Sequence, residues 1–178
     1  MTRRARIAAA GLVLILAATG CTAPRLDDVA ATGVRVDSVA DGDTLTIRDA
    51  AGFPTVVRLL GIDAPEVAHD GKPAECGAQA AKDALTQLTK GHKVNLYTDP
   101  GSDRTDRYGR LLAYVEDPLA GDTAGGDVAL RLIQHGYVAA WYPAKAARPS
   151  RADRYEAAQR DTERSRVGSW RTCPNLPG

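Results

Sequence analysis

The chain has 178 residues, enough for one domain with attached segments, and its hydrophobic content of 44% is that of an ordinary globular protein. It contains 23 basic and 22 acidic residues, which gives a net charge of +1 at pH 7. This balance excludes a strongly basic protein that attracts polyanions through its bulk charge. Any affinity for a polyanion must therefore come from local clusters of charge or from a bound cation.

The first twenty residues have the features of a signal peptide. Arg3, Arg4 and Arg6 form a basic segment, and the apolar run at 7–18 that follows is too short to span a bilayer. Small residues then precede Cys21, a pattern that predicts a lipobox with Cys21 as the lipidated residue; an ordinary cleaved leader is the alternative. We therefore expect an exported protein, either anchored to the cell membrane through this lipid or secreted. Without the leader, 20 basic and 22 acidic residues remain, a net charge near −2.

Two further cysteines, Cys76 and Cys173, remain if Cys21 carries lipid. Such a pair in an exported protein usually forms a disulfide, so the sequence predicts this bridge, with two free buried thiols as the alternative. The three histidines lack the spacing of a zinc site.

The pattern of apolar residues divides the rest of the chain. Residues 21–33 lack periodicity and predict a flexible tether, whereas alternation with turn signals over 34–62 predicts a meander of three strands. The later elements predicted in chain order are a helix within 74–91, strands at 92–99 and 111–117, a short helix at 128–136, an extended segment at 137–143 and a charged helix at 150–168. Together they favour an α+β fold, a five-stranded OB-type β-barrel with three helices, over 34–172, followed by a tail at 173–178.

The tetrad "DGDT" places two carboxylates, Asp41 and Asp43, around Gly42 at a predicted turn between strands. Glycine allows a sharp bend, and the two carboxylates could converge on a hard cation such as calcium. Asp-Gly is also the commonest hairpin turn, so the tetrad alone favours an ordinary turn.

The segment "RLLGIDAPE" adds one guanidinium and two carboxylates, those of Arg58, Asp63 and Glu66. Arg58 and Asp63 are five residues apart, which places them on opposite faces of an extended strand. A bend at Gly61 would bring them together, so spacing alone does not decide. An arginine for a phosphate, a carboxylate for a metal and a second carboxylate for water would serve the hydrolysis of phosphate esters.

The segment "DRTDRYGR" supplies a second cationic group around Gly109, formed by Arg107, Tyr108 and Arg110. Taken alone, such a run is typical of a solvated charged turn.

In combination, "VADGDT", "VRLLGIDAPE" and "RTDRYGR" resemble the thermonuclease (staphylococcal nuclease-like) family over about 34–170. The resemblance implies a calcium-dependent nuclease that hydrolyses phosphodiester bonds of DNA and/or RNA. Water would attack in line and leave 3′-phosphate products. We expect a monomer. The alternative is a non-catalytic module with an OB-fold that binds nucleic acid, or a structural lipoprotein.

The resemblance also implies roles for individual residues. The implied calcium ligands are Asp41, Asp43, Asp63 and the backbone carbonyl of Ala64. The implied catalytic residues are the phosphate-binding Arg58 and Arg110 and the general base Glu66. The implied substrate-binding residues are Arg107, Tyr108, Trp141 and Tyr142. Two details stay open, because Asp43 would bind the cation directly or through water and Glu66 would deprotonate the attacking water or only order it.

Overall fold

The computed structural model describes residues 29–49, 51–120, 126–173 and 175–176. Within these residues the strands are β1 (Val29–Val39), β2 (Thr44–Arg48), β3 (Pro54–Leu59), β4 (Ile62–Asp63), β5 (Lys93–Tyr97), β6 (Leu111–Glu116) and β7 (Ala139–Ala140). The helices are α1 (Ala78–Thr89), α2 (Val128–Gln134), α3 (Ala152–Arg164) and a short 3-10 helix (Gly168–Arg171).

Five of the strands close into a barrel in the order β1-β2-β3-β6-β5. Neighbouring strands are antiparallel except β3 and β6, which run parallel. A parallel neighbour requires a long crossover, and the chain supplies it with α1 and β5 between the two strands. The predicted α+β fold, a five-stranded OB-type barrel with three helices, is confirmed.

Alternation along the strands decides which side chains fill the barrel. Leu45 and Ile47 of β2 and Val57 and Leu59 of β3 are buried, whereas Val56, which precedes Val57, is 42% exposed. Successive side chains on a strand point to opposite faces, so the buried set points inward. This inward set forms the core.

Helix α1 closes the barrel beside the "DGDT" turn. Its Ala81 and Leu85 are fully buried. A Cβ atom on Gly42 would lie 2.6 Å from the Cβ of Ala81 and 2.7 Å from the Cβ of Ala64. Glycine is therefore required at this turn because the backbone passes so close to α1, which is a different reason from the sharp bend that the sequence suggested.

Two strand boundaries differ from the predicted ones. β1 begins at Val29 instead of 34, because Val29 pairs with Tyr97 of β5 and so extends the barrel into the predicted tether. Register shifts on both sides of Ala31 hide this extension from a search for alternation. The predicted third strand ends at Leu59, since Gly61 adopts a φ of +79° and turns the chain.

The predicted disulfide pair is joined in the structure. Cys76 and Cys173 are 97 residues apart in sequence and form a disulfide between the segment before α1 and the segment after the 3-10 helix. The predicted signal peptide and the lipidation site Cys21 lie outside the described residues. None of the helices in the described part of the chain has the length and apolar character needed to span a membrane.

Candidate active site

Arg58 is held at the end of β3 by four acceptors. Its Nη1 donates to the carbonyl oxygens of Leu59 at 3.0 Å and Ile62 at 2.8 Å. Its Nη2 lies 2.8 Å from the Asp63 carboxylate and 3.0 Å from the Asp43 carboxylate. The turn at Gly61 therefore does bring Arg58 and Asp63 together. Only 12% of the Arg58 side chain is exposed, so these contacts fix its position.

Asp43 is a buried carboxylate immediately before β2, with 5% of the residue exposed. It accepts hydrogen bonds from the Ala64 N–H at 2.9 Å and from the Thr44 hydroxyl at 3.0 Å, besides its contact with Arg58. Burial nevertheless raises the pKa of Asp43 to about 7, against the opposing effect of Arg58 and with help from the nearby charge of Asp41. Burial thus disfavours the charged form of Asp43 despite its hydrogen-bond and ion-pair partners.

Asp63 is placed by a small second sheet, in which β4 pairs with β7 and Asp63 lies opposite Ala139. Burial raises the pKa of Asp63, Arg58 opposes this, and the charges of Glu66 and Glu75 raise it further. The carboxylates around Arg58 therefore repel one another, and a single guanidinium does not neutralise them all.

Arg110 lies on the turn before β6 and reaches Thr44, the residue next to Asp43. Its Nη1 donates to the Thr44 hydroxyl at 3.3 Å, while its Nε contacts the Asp106 carboxylate at 2.6 Å. Asp106 also accepts the backbone N–H groups of Tyr108 and Arg110, each at 2.9 Å, which closes the turn. Burial alone would raise the pKa of Asp106, but the hydrogen bonds from Arg110 and Tyr108 lower it overall. Asp106 therefore stays ionised and orients Arg110.

Glu66 is exposed on the loop that follows β4. Its backbone N–H donates to the Glu75 carboxylate at 3.0 Å, and its carbonyl accepts the Glu75 N–H at 2.9 Å. Glu66 is among the residues that line the groove beside Asp63.

A groove of about 910 Å³ collects nearly all of the predicted site residues. From the predicted set it is lined by Asp41, Asp43, Arg58, Asp63, Glu66, Arg107, Tyr108, Arg110, Trp141 and Tyr142. Tyr108 is 68% exposed and Trp141 40% exposed, so both offer aromatic surface there. Ala64 is buried beside the groove, where its N–H binds Asp43.

The predicted cation ligands offer only oxygen atoms, which hard cations such as Ca²⁺ prefer. In the described chain, no three His, Cys, Asp or Glu side chains form a group that could hold a metal ion. Arg58 instead supplies the positive charge between Asp43 and Asp63. Burial is the main cause that raises the pKa of Asp43. The chemistry of the donor set, carboxylate oxygens and one backbone carbonyl, is that of a hard cation site.

Three residues of the site were missed at the level of sequence: Thr44, Asp106 and Glu75. Asp106 carried a usable signal, because an aspartate that opens a turn commonly accepts the backbone N–H group two residues later. Thr44 contacts Arg110, and Glu75 contacts Glu66. Both contacts depend on how the chain folds, and no local sequence pattern predicts them.

Comparison with known proteins places this site in a family. A family model described as "Staphylococcal nuclease homologue" matches residues 56–172. The chain is 32% identical over 150 residues to the thermonuclease of Staphylococcus intermedius, which covers 80% of this chain and 79% of that protein. It is 28% identical over 141 residues to endonuclease YhcR of Bacillus subtilis (strain 168), which covers 76% of this chain. It is 41% identical over 85 residues to SPbeta prophage-derived endonuclease YokF of the same strain, which covers 46% of this chain.

The lengths of these relatives differ from that of this chain. The match spans only 11% of endonuclease YhcR and 27% of endonuclease YokF, so those proteins contain much that is not compared. The family model, in contrast, covers well over half of this chain, and the thermonuclease match covers about four fifths of both proteins. The chain therefore belongs to the staphylococcal nuclease homologue family.

Proposed function

We propose that the protein is a calcium-dependent nuclease that hydrolyses phosphodiester bonds of DNA or RNA. One observation carries this proposal. Two guanidinium groups contact neighbouring residues, since Arg58 contacts the Asp43 carboxylate and Arg110 donates to the Thr44 hydroxyl. Two arginines beside a cluster of carboxylates suit a dianionic transition state at phosphorus, because each guanidinium can donate two hydrogen bonds to phosphate oxygens. The names of the relatives support the same class of reaction.

Binding of the phosphate falls to the two arginines. Arg110 is already oriented by Asp106, so little rotational freedom is lost when it binds a phosphate oxygen. To bind a phosphate through its Nη2 atom, Arg58 exchanges its contacts with Asp43 and Asp63 for contacts with the phosphate. That exchange leaves the buried carboxylate of Asp43 and the half-buried one of Asp63 without a counter-charge, which favours binding of a cation together with the substrate.

The residues that would hold the cation are Asp41, Asp43, Asp63 and the carbonyl of Ala64. A bound Ca²⁺ supplies positive charge that neutralises the charge developing on the phosphate oxygens. Glu66 accepts a proton from water, or orders that water, so that its oxygen attacks phosphorus opposite the leaving 5′-oxygen. The P–O5′ bond breaks, the 5′-oxygen takes up a proton from solvent to become a hydroxyl, and the phosphate stays on the 3′-oxygen. Exposed aromatic rings of Tyr108 and Trp141 suit stacking with unpaired bases.

The proposal is tested by incubating the purified protein with labelled single-stranded DNA and RNA, in calcium and in an excess of chelator. We expect cleavage in calcium, loss of cleavage in chelator and 3′-phosphate ends on the products. Binding without cleavage would instead identify a nucleic-acid-binding module, and equal cleavage in chelator would contradict the calcium requirement. A protein that neither binds nor cleaves these nucleic acids would instead have a structural role.

We further propose that the protein is exported as a monomer and lipidated at Cys21. The proposal is supported by the basic segment, the short apolar run and the small residues before this cysteine. Mass spectrometry of the mature N-terminus tests the lipid. An unmodified Cys21 after cleavage would indicate secretion instead. Light scattering of the purified protein measures the oligomeric state.

A further inference from the structure

The loop between β4 and α1 holds Glu66 through a single partner residue. The backbone N–H of Glu66 donates to the Glu75 carboxylate at 3.0 Å, and the Glu66 carbonyl accepts the Glu75 N–H at 2.9 Å. Both backbone hydrogen-bonding groups of Glu66 are thus bound by one residue, nine positions along the chain. Glu66 lines the groove, whereas Glu75 is not among the described residues that line it.

Glu75 is in turn attached to the body of the protein by its neighbour. Cys76 forms the disulfide with Cys173, which is 6% exposed. The Cys173 N–H donates to the Ser169 carbonyl at 2.8 Å, and the Ser169 N–H donates to the Gly136 carbonyl at 2.9 Å. Through these contacts the base of an exposed loop is joined to the end of α2.

We propose that Glu75, anchored by the Cys76–Cys173 disulfide, is a positioning residue that fixes Glu66 against the groove. The inference rests on the proposed function, in which the Glu66 carboxylate acts on the attacking water. An exposed carboxylate on a polar loop otherwise samples many positions. A displacement of about 1 Å at a reacting group can lower the rate about 100-fold, so an anchor of this kind affects turnover directly.

Substitution of Glu75 tests the contact itself. In Glu75→Ala the Glu66 N–H loses its acceptor, and we expect kcat for cleavage to fall about 10- to 100-fold with little change in KM. In Glu75→Gln the amide oxygen still accepts this N–H, so kcat should stay close to the wild-type value. Equal losses in both variants would show that the charge of Glu75 matters and the hydrogen bond does not, which would overturn the proposal.

A double-substitution cycle shows whether Glu75 acts through Glu66. Glu66→Gln alone should lower kcat about 100-fold or more. If Glu75 only positions Glu66, adding Glu75→Ala to Glu66→Gln should cause little further loss. Multiplication of the two effects would contradict the proposal.

The disulfide is tested by replacing both cysteines, Cys76→Ser together with Cys173→Ser. At a temperature where circular dichroism shows this variant folded, we expect a lower kcat with nearly unchanged KM. Unchanged kcat in the folded variant would remove the disulfide from the proposal. If this variant does not fold, Glu75→Ala still decides, because it leaves the disulfide intact.

Glu163→Ala is the matched control, since it removes an exposed carboxylate on α3 that does not line the groove. Its kcat should equal that of the wild type. Different results would contradict the proposed nuclease activity and the proposed positioning role of Glu75. A wild-type protein that cleaves nothing in calcium contradicts the nuclease itself, whereas an active wild type with an equally active Glu75→Ala variant contradicts only the positioning role.

Discussion

The Nη2 atom of Arg58 lies 2.8 Å from a carboxylate oxygen of Asp63, although the two residues are five positions apart on what would otherwise be opposite faces of a strand. The same atom lies 3.0 Å from Asp43. A group proposed to bind phosphate thus occupies the carboxylates proposed to bind calcium. Substrate and cation should therefore bind together, because phosphate frees the carboxylates from Arg58 and the cation frees Arg58 from the carboxylates.

Removal of the Arg58 guanidinium separates its proposed binding of phosphate from its competition with calcium for the carboxylates. In Arg58→Ala the carboxylates of Asp43 and Asp63 lose a competing positive charge, so we expect calcium affinity without nucleic acid to be retained or increased. Isothermal titration with calcium measures this, with Asp63→Ala as the control that should weaken binding. Weaker calcium binding in Arg58→Ala would show that the guanidinium does not compete with the cation.

Asp106 should matter for cleavage although it lies in a charged turn. In Asp106→Ala, Arg110 loses the carboxylate that orients its Nε, and the backbone N–H groups of Tyr108 and Arg110 lose their acceptor. We expect kcat/KM to fall about 10- to 100-fold. Asp161→Ala, at a side chain 76% exposed on α3, serves as the control. Equal rates in both variants would mean that Arg110 needs no orientation.

Asp99 should stabilise the fold in a pH-dependent way. It is 5% exposed and accepts the Tyr114 hydroxyl at 2.7 Å and the N–H groups of Ser150 at 2.6 Å and Gly101 at 2.8 Å. Burial alone would raise the pKa of Asp99, but hydrogen bonds from Ser150, Tyr114 and Gly101 outweigh it and lower the pKa below the usual 3.8. Its stabilising effect is therefore complete above about pH 4 and is lost as the pH falls through the folded-state value.

Asp99→Asn tests this dependence in urea unfolding experiments. At pH 7 we expect the free energy of unfolding to fall by about 2 kcal/mol, because charge-assisted hydrogen bonds are replaced by neutral ones. The difference from the wild type should shrink below about pH 4, where Asp99 takes up a proton. A difference that is constant from pH 3 to pH 7 would contradict the ionised state of Asp99.

Gly42→Ala should destabilise the protein by overpacking. The new Cβ would meet Ala81 at 2.6 Å and Ala64 at 2.7 Å, and forced insertion of this kind costs about 1–3 kcal/mol. Gly52→Ala is an informative comparison, because a Cβ there meets no atom within 4 Å and only the φ of +87° opposes it. Urea unfolding measures both variants. Wild-type stability in Gly42→Ala would show that α1 moves without cost.

The sequence predicts the barrel well because alternation of buried and exposed positions is local. Leu45 and Ile47 on β2 and Val57 and Leu59 on β3 repeat with the period of a strand. The start of β1 escapes prediction because pairing of Val29 with a distant strand overrides a weak local pattern.

The site is predictable only in part, for a related reason. The types of charged residue indicate the chemistry, but contacts across the fold decide their arrangement. The turn at Gly61 settles the relation of Arg58 to Asp63, which spacing leaves open. Glu75 reaches Glu66 only because the intervening loop folds back on itself. Such contacts have no sequence period.

The central claim is that Arg58, which contacts Asp43, and Arg110, which contacts Thr44, together make the groove a nuclease site. The most direct measurement is the rate of calcium-dependent cleavage of single-stranded DNA and RNA by the wild type, Arg58→Ala and Arg110→Ala, each shown to be folded by circular dichroism. We predict cleavage by the wild type and a loss of about a thousandfold or more in each variant. Cleavage at the wild-type rate in both folded variants would contradict the account.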